Sequence, residues 1–336
     1  MREEKYMKKI LISGAFCLML SAVFTLPAFA EELVVGGQAV GIQISTEGVL
    51  VAGLSDVETV DGTASPAEDA GLKQGDIIIK IDGKAVYDAA SVIAAVESAG
   101  DGAISLSIRR GEKLMSLEVQ PAEAAEGKRM LGLLLRDGLS GIGTLTFYEP
   151  DSGSYGALGH SVNDTDTRTN LPIREGSITE AQIVSVKPGA AGEPGELNGA
   201  ADLSRVLGSV EKNTDVGIFG RFYSNLDGQL METGLIAAGP ASLISTVSGS
   251  QKRMYSVEIN RVYRESGSTH AMLTVTDPEL LSITGGIVQG MSGSPIIQNG
   301  KLVGAVTHVF VNEPDKGYAV SIQDMLRAAG IEDKAA

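Results

Sequence analysis

The segment 285–311 constrains this 336-residue chain more than any other stretch, because its centre, Gly-Met-Ser-Gly-Ser-Pro at 290–295, places a serine between glycines. A serine nucleophile needs such a turn: Oγ projects into a cleft, and glycine lets two main-chain N–H groups converge on one point. In that arrangement the N–H groups of Gly290 and Ser292 would form an oxyanion hole. The alternative is a Gly/Ser-rich hairpin loop without chemistry. The following Asn299-Gly300 pair predicts a tight turn between two strands.

The distribution of glycine favours a strand-rich fold. The chain has 42 glycines and no tryptophan, and its apolar residues fall in many short runs separated by Gly, Asn and Asp. Helical periodicity is confined mainly to residues 88–99 and 322–329, with a short helix predicted at 66–72. From residue 130 onward, many short strands with turn residues between them predict a β-barrel or a β-sandwich.

The first thirty residues have the pattern of an export signal. A basic start is followed by an apolar run at 10–26 and by Pro-Ala-Phe-Ala at 27–30, so cleavage is predicted after Ala30. The alternative is an uncleaved membrane anchor, since the apolar run approaches the length of a membrane span. The only cysteine, Cys17, lies in this segment, so the exported part is expected to lack disulfides and a cysteine nucleophile.

The composition also limits which binding partners and ligands are expected. The net charge of −15 argues against nucleic acid and anionic membrane surfaces. Three scattered histidines, with no cysteine outside the signal, argue against a metal site, and nothing in the sequence calls for a cofactor.

Residues 33–122 form the first predicted domain. The run A-x-x-A-G-L-x-x-G-D-x-I-x-x-I-D-G at 67–83, followed by a helix at 88–99, resembles the PDZ domain. That resemblance implies that a peptide adds as an extra strand beside the helix and that a loop holds its terminal carboxylate. By the same resemblance the loop is expected at Val40, Gly41 and Ile42. The alternative is a PDZ fold that serves only as a spacer or an internal clamp.

A small, charged stretch at 123–129 is predicted to be a linker, and residues 130–336 are predicted to form the second domain. Separate buried strands are expected at 131–135 and 143–148. Glycine-rich surface loops are expected at 187–199 and 239–249.

A serine nucleophile needs a base, and the chain offers three histidines. His160 follows a small apolar strand early in the second domain, His308 lies in the strand after the serine turn, and His270 begins another segment. Position favours His160, with His308 as the main rival and His270 as the weakest candidate. Any of them could instead be structural.

The third member of a serine triad is a carboxylate that orients the histidine. Asp277 lies fifteen residues before Ser292 and would give the order His, Asp, Ser. Asp-Pro is also a common way to open a turn, so Asp277 has a structural alternative. Asp164 and Asp166 are rivals because they closely follow His160.

Taken together, the signal, the PDZ-like domain, GALGHSV at 156–162, GIGTLTFY at 141–148 and the long run around Ser292 resemble the stage IV sporulation protein B peptidases. The resemblance implies a mainly β protein, with an N-terminal α+β PDZ domain followed by a chymotrypsin-like β-barrel serine peptidase domain. It implies a triad of His160, Asp277 and Ser292, and His308 then becomes a supporting residue.

The resemblance further implies a serine endopeptidase that cleaves itself and a membrane-held regulator of an intramembrane protease in sporulation signalling. It places the protein in the space between the forespore membranes, with peptide tails bound by the PDZ domain. Two alternatives remain: an exported scaffold without activity, and a general secreted protease of the HtrA kind. The HtrA kind places its PDZ domain after the protease and uses GNSGG around the serine, whereas this chain has the reverse order and GMSGS.

Overall fold

The computed structural model describes residues 32–100, 102–163 and 173–331. The predicted export signal at 1–30 lies outside the described residues. Within these ranges, no helix has the length and hydropathy needed to cross a membrane.

Strands dominate the described residues. The strands are β1 Glu32–Val35, β2 Ala39–Leu54, β3 Val57–Thr59, β4 Gly62–Ala64, β5 Ile77–Ile81, β6 Lys84–Ala85, β7 Ile104–Arg110, β8 Lys113–Val119, β9 Ala122–Glu123, β10 Arg129–Met130, β11 Leu133–Tyr148, β12 Ser154–Ala157, β13 Ile173–Lys187, β14 Glu196–Thr214, β15 Gly217–Phe222, β16 Leu230–Glu232, β17 Gly239–Ser245, β18 Arg253–Glu265, β19 Ser268–Val275, β20 Pro295–Gln298, β21 Lys301–Phe310 and β22 Glu313–Ser321. The helices are α1 Pro66–Asp69, α2 Ala89–Ser98, α3 Pro278–Thr284 and α4 Ile322–Ala329.

Six strands close the first barrel. Antiparallel pairing runs from β11 through β12, β15, β14, β13 and β2 and returns to β11. The first part of β2 contributes the alternating apolar side chains expected of a barrel strand. Val40, Ile42 and Ile44 are buried there against residues such as Leu145 and Tyr155.

The second barrel closes in the order β17, β18, β19, β22, β21 and β20. Its hairpin between β20 and β21 turns at Asn299 and Gly300, both with positive φ, as the sequence predicts. The helix α4 follows β22 and matches the predicted helix at 322–329. Two six-stranded antiparallel barrels in one chain are the architecture of a chymotrypsin-like protease, so the predicted fold class is confirmed.

An α+β domain, called the insert (residues 48–135), interrupts the first barrel. It is built from the second part of β2, the short strands β3 to β10, the helices α1 and α2, and the beginning of β11. Its core consists of buried apolar side chains from the strands, from both helices and from the connections between them. These side chains are Val49, Val51, Ala67, Leu72, Ile78, Ile81, Val86, Val92, Val96, Ile104, Leu106, Ile108, Val119 and Leu131.

The strand pairing changes the predicted domain boundaries. Residues 39–46 of β2 pair with β11 and β13 inside the first barrel, so they do not belong to the PDZ-like domain predicted at 33–122. The predicted linker at 123–129 forms part of the β9–β10 hairpin of the insert. The predicted start of the second domain at residue 130 falls inside the insert, because Leu133–Leu135 pair with the second part of β2.

Two local predictions are also wrong. Separate strands are expected at 131–135 and 143–148, but residues 133–135 and 143–148 belong to the single strand β11, which bends at register shifts near Leu135 and Asp137. The loop expected at 239–249 contains β17, a strand of the second barrel.

The boundaries lead to a test with fragments. A fragment that begins at residue 130 lacks β1 and the barrel part of β2, so its first barrel cannot close, and we expect no cooperative unfolding transition of that barrel. A fragment of residues 32–331 retains both strands and is expected to unfold cooperatively. Urea titration followed by circular dichroism measures the difference. Equal cooperativity of the two fragments would contradict the insertion topology.

Candidate active site

The nucleophile turn lies between α3 and β20 of the second barrel. Gly290 and Gly293 both have φ of 94°, a conformation that side chains with a Cβ rarely adopt. A Cβ on Gly293 would lie 2.0 Å from the Thr144 carbonyl oxygen, so the backbones of the two barrels approach each other closely at this point. The glycines around Ser292 are therefore required by both the turn and the contact between barrels.

The carbonyl oxygens of this turn are held in place, and this fixes the direction of the N–H groups. The Gln289 oxygen accepts from the Leu197 N–H at 2.8 Å, and the Met291 oxygen accepts from the Ser294 N–H at 2.9 Å. In a trans peptide the N–H of the next residue points the opposite way. Among the described residues, neither the Gly290 N–H nor the Ser292 N–H donates to a main-chain carbonyl. These are the two donors predicted for the oxyanion hole.

Ser292, and not Ser294, faces the cavity. Ser292 lines a cavity of about 530 Å³ between the barrels, together with His160 and His308. Ser294 is fully buried, and its hydroxyl donates to Ser245 Oγ at 3.0 Å within the second barrel. The structure thus leaves Ser292 as the accessible hydroxyl of the motif.

His160 enters the cavity from the first barrel. It follows β12 after Leu158 and Gly159, both with positive φ, which turn the chain toward the second barrel. Its Nδ1 lies 2.8 Å from the Ser161 carbonyl oxygen. A carbonyl can only accept, so Nδ1 carries the hydrogen and Nε2 of the neutral ring is left as the acceptor.

The segment after His160 is fixed from a distant strand. The side chain of Asn213, at the end of β14, accepts from the Val162 N–H and donates to the Val162 oxygen, both at 2.8 Å. This pair of hydrogen bonds holds the main chain next to the Ser161 carbonyl. Asn213 therefore supports the orientation of the imidazole through the backbone.

The two cavity histidines lie against each other. The ring centroids of His160 and His308 are 4.4 Å apart with planes tilted by 34°. Burial, with a smaller contribution from His308, lowers the pKa of His160 to about 4, although the Ser161 carbonyl acts in the opposite direction. His160 is therefore neutral at neutral pH, which is the state that a general base needs.

The Ser292 hydroxyl is hydrogen-bonded to a main-chain carbonyl and not to His160 in this structure. The Ser292 hydroxyl donates to the Thr307 carbonyl oxygen at 2.7 Å. Rotation about the Cα–Cβ bond would free it to turn toward His160. The hydrogen bond between a catalytic serine and its base often shortens and aligns only when substrate binds.

The structure gives Asp277 a role away from His160. The Asp277 carboxylate caps the N-terminus of α3, where it accepts from the N–H groups of Glu279 and Leu280, and it also accepts from Ser256. The local signal for a turn, Asp before Pro278, therefore describes its role in the fold. Asp277 neither lines the cavity of Ser292 nor bonds His160 in this structure, so its place in the triad stays a prediction. The rivals Asp164 and Asp166 lie outside the described residues.

His270, the weakest candidate base, lies in β19. Its partners across the strands are Tyr263 and Val320, and its ring stacks on Tyr263 with centroids 5.8 Å apart. It does not line the cavity of Ser292.

The predicted carboxylate-binding loop is also placed elsewhere. Val40, Gly41 and Ile42 lie in β2 and are paired on both sides within the first barrel, so they offer a peptide no edge. These three residues have the order apolar, glycine, apolar, and the same order occurs at Leu131-Gly132-Leu133. That second copy lines a cavity of about 510 Å³ beside α2, between the helix and the beginning of β11.

The backbone at this second copy turns one N–H group away from β2. The Ser55 N–H donates to the Gly132 oxygen at 3.0 Å, so the Leu133 N–H in the same peptide points away from β2. A Cβ on Gly132, whose φ is 72°, would lie 2.1 Å from the Ser55 oxygen, so glycine is required. The side chains of Leu134 and Ile93 beside this edge are 57% and 53% exposed. We call this feature the α2 groove.

Three parts of these sites are not predicted from the sequence: Thr144, Asn213 and the α2 groove. Thr144 and Asn213 act across more than fifty residues of sequence. Thr144 lies in the run GIGTLTFY at 141–148, but nothing in that run indicates a contact with residue 290, and Asn213 lies in none of the motifs described above. The α2 groove does have a signal, because Leu131-Gly132-Leu133 has the same order of apolar residue, glycine and apolar residue as Val40, Gly41 and Ile42.

Two protein-family models match the chain. A model described as SpoIVB peptidase S55 matches residues 127–326, and a model of the PDZ domain matches residues 62–110. The family and the two domain types that the sequence predicts are thereby confirmed. The PDZ match lies within the insert.

Individual relatives match only parts of the chain. Serine protease HTRA1 of Xenopus laevis is 44% identical over 59 residues, which covers 18% of this chain and 12% of that protein. The chain spans less than a fifth of the length of the curated relatives that it matches. Among solved structures, the active form of the Rv3671c protease from M. tuberculosis is similar at 14% identity and a TM-score of 0.34, over 57% of this chain and 75% of that one.

The pKa of His160 leads to a test of the base. A neutral His160 can accept the serine proton and a protonated one cannot, so the rate of Ser292 labelling by a fluorophosphonate should fall as pH decreases through about 4. An unperturbed histidine would place this fall at about 6.5. Replacing His308 with Asn should move the fall to higher pH, because both burial and a neighbouring charge are reduced. Circular dichroism at each pH serves as the control for folding, and a wild-type midpoint at the unperturbed value would contradict the assignment.

Proposed function

Because the chain belongs to the SpoIVB peptidase S55 family and is a serine peptidase, we propose that Ser292 is its nucleophile and His160 its general base. The observation that carries this proposal is the shared cavity. Ser292 from the second barrel and His160 from the first line it together. Beside them are two N–H groups that have no main-chain partner among the described residues.

The proposed reaction begins when the Ser292 hydroxyl leaves the Thr307 carbonyl and turns to His160. Nε2 takes the proton as Oγ attacks the scissile carbonyl, and the Gly290 and Ser292 N–H groups stabilise the oxyanion. Loss of one such donor lowers turnover by about 10²–10³ in related chemistry. The protonated His160 then gives its proton to the leaving amine, and water repeats the sequence on the acyl-enzyme.

The Ser161 carbonyl performs one part of the role expected of a triad carboxylate. It fixes the tautomer, which leaves Nε2 free to accept the proton. It carries no full charge, so it stabilises the imidazolium less than a carboxylate would. This is consistent with the low pKa of His160.

The cavity favours substrates whose side chains next to the scissile bond are uncharged. Its walls carry apolar side chains such as Ile142, Leu158, Ile287, Val288 and Val309. Among the described residues that line it, the ionisable side chains are the two histidines. A charged side chain beside the scissile bond would therefore be desolvated without a partner, which is unfavourable. We expect apolar residues next to the bond that is cleaved.

The physiological role that we propose follows from the family. Its substrate is a membrane-held regulator of an intramembrane protease in sporulation, its own chain is a second substrate, and it acts after export, between the forespore membranes. The export pattern at 1–30 and the peptide edge of the α2 groove support this role. The groove would hold the carboxyl terminus of a peptide.

The nucleophile is tested by substitution at each serine of the motif. Ser292→Ala should abolish fluorophosphonate labelling and self-cleavage with the fold intact, because Ser292 is the hydroxyl that faces the cavity. Ser294→Ala should keep both activities, since its hydroxyl bonds Ser245 inside the barrel. Mass spectrometry of the fragments should place the cuts after apolar residues. Labelling retained by Ser292→Ala but lost by Ser294→Ala would show that the wrong serine is assigned.

The α2 groove is tested with peptides selected from a library of free carboxyl termini. Ile93→Lys should weaken their binding by roughly tenfold or more, because it places a charge on the apolar wall of the groove. Leu114→Lys is the matched control, since Leu114 is 75% exposed on β8 and does not line the groove. Amidation of the peptide should also weaken binding. Equal affinity of the two variants, measured by calorimetry, would exclude the groove.

A further inference from the structure

Thr144 of the first barrel donates two hydrogen bonds to the nucleophile turn. It lies near the end of β11 and is 1% exposed. Its Oγ1 donates to the Gly290 oxygen at 2.8 Å, and its N–H donates to the Ser292 oxygen at 3.0 Å. A single buried residue thus holds two carbonyls of the turn from the opposite barrel.

With these two carbonyls, every carbonyl oxygen of the nucleophile turn from 289 to 292 accepts a hydrogen bond. The oxygens of the four consecutive residues 289–292 all accept hydrogen bonds, the first from Leu197, the third from Ser294, and the second and fourth from Thr144. The peptide between Gly290 and Met291 links the two peptides that carry the N–H groups of the oxyanion hole. Thr144 Oγ1 holds its oxygen, and its own N–H donates to the Val288 oxygen at 3.1 Å. A displacement of this linking peptide would shift the peptides on both sides of it, and with them the two donors.

Thr144 also reaches the segment of the base. Its carbonyl oxygen accepts from the Leu158 N–H at 3.3 Å, two residues before His160. The same residue therefore contacts both the nucleophile segment and the base segment. The two main-chain hydrogen bonds persist with any side chain at 144, but the bond to Gly290 requires a hydroxyl.

We propose that the Thr144 hydroxyl is a positioning group of the oxyanion hole, which it aligns by holding the Gly290 carbonyl. This inference rests on the proposed function, because it assigns the two N–H groups to the reaction. Thr144 does not touch the substrate. Its effect should therefore appear in the rate of attack on a bound reagent, and not in the binding of that reagent.

The experiment uses labelling of Ser292 by a fluorophosphonate, whose phosphoryl oxygen occupies the oxyanion hole. Three variants are compared with the unsubstituted full chain: Thr144→Val, which keeps the shape but removes the hydroxyl; Thr144→Ser, which restores it; and Thr179→Val. The last is the matched control, because Thr179 is equally buried in the same barrel and its hydroxyl bonds the Gly41 oxygen, away from the turn. Concentration series separate the maximal rate of labelling from the half-saturating concentration.

Thr144→Val should lower the maximal rate by about three- to tenfold, the effect of losing one hydrogen bond, with little change in half-saturation. Thr144→Ser should stay within about threefold of the wild type, and Thr179→Val should label normally. The inference is overturned if Thr144→Val lowers the maximal rate of labelling no more than Thr179→Val does. It is also overturned if only the half-saturating concentration changes, or if Thr144→Ser does not restore the rate. Absence of labelling in the wild type would instead count against the proposed function.

Discussion

The hydrogen bonds between β11 and the nucleophile turn are the interaction on which the site depends. A chymotrypsin-like site is assembled from two barrels, so neither barrel alone can place a serine beside a histidine. In this chain Thr144 and Thr146 of the first barrel hold the carbonyls of Gly290, Ser292 and Gly293 in the second. The glycines of the turn permit this approach because a Cβ at 293 would overlap the Thr144 oxygen.

The same strand belongs to both functional regions. The first residues of β11 form the edge of the α2 groove, and its later residues contact the serine turn. Between them, at the register shift, the Asp137 carboxylate accepts from the Ala89 N–H at the start of α2. The helical wall of the groove is thus attached to the strand that forms its other wall.

The sequence is most informative where local chemistry decides the structure. The Asn299-Gly300 hairpin and the helix at 322–329 depend on neighbouring residues, and the structure has both where the sequence predicts them. The sequence is least informative where a strand pairs with another strand that is distant in sequence. Nothing near Val40 shows that β2 pairs with β13, more than a hundred residues away. Asp277 carries both kinds of signal: Asp before Pro278 indicates the helix cap that the structure has, whereas its place in a triad rests on spacing and on the family resemblance.

The insertion topology also determines how the insert can be removed without destroying the barrel. Deletion of the predicted domain at 33–122 would take away the barrel part of β2, so a loss of activity would reveal nothing about peptide binding. Ser45 and Gly138 are direct partners on β2 and β11, and such partners lie about 5 Å apart. A two-residue turn between them would close the strands as a hairpin. The remaining chain keeps Thr144, His160 and Ser292, so it separates the contribution of the groove from that of the barrels.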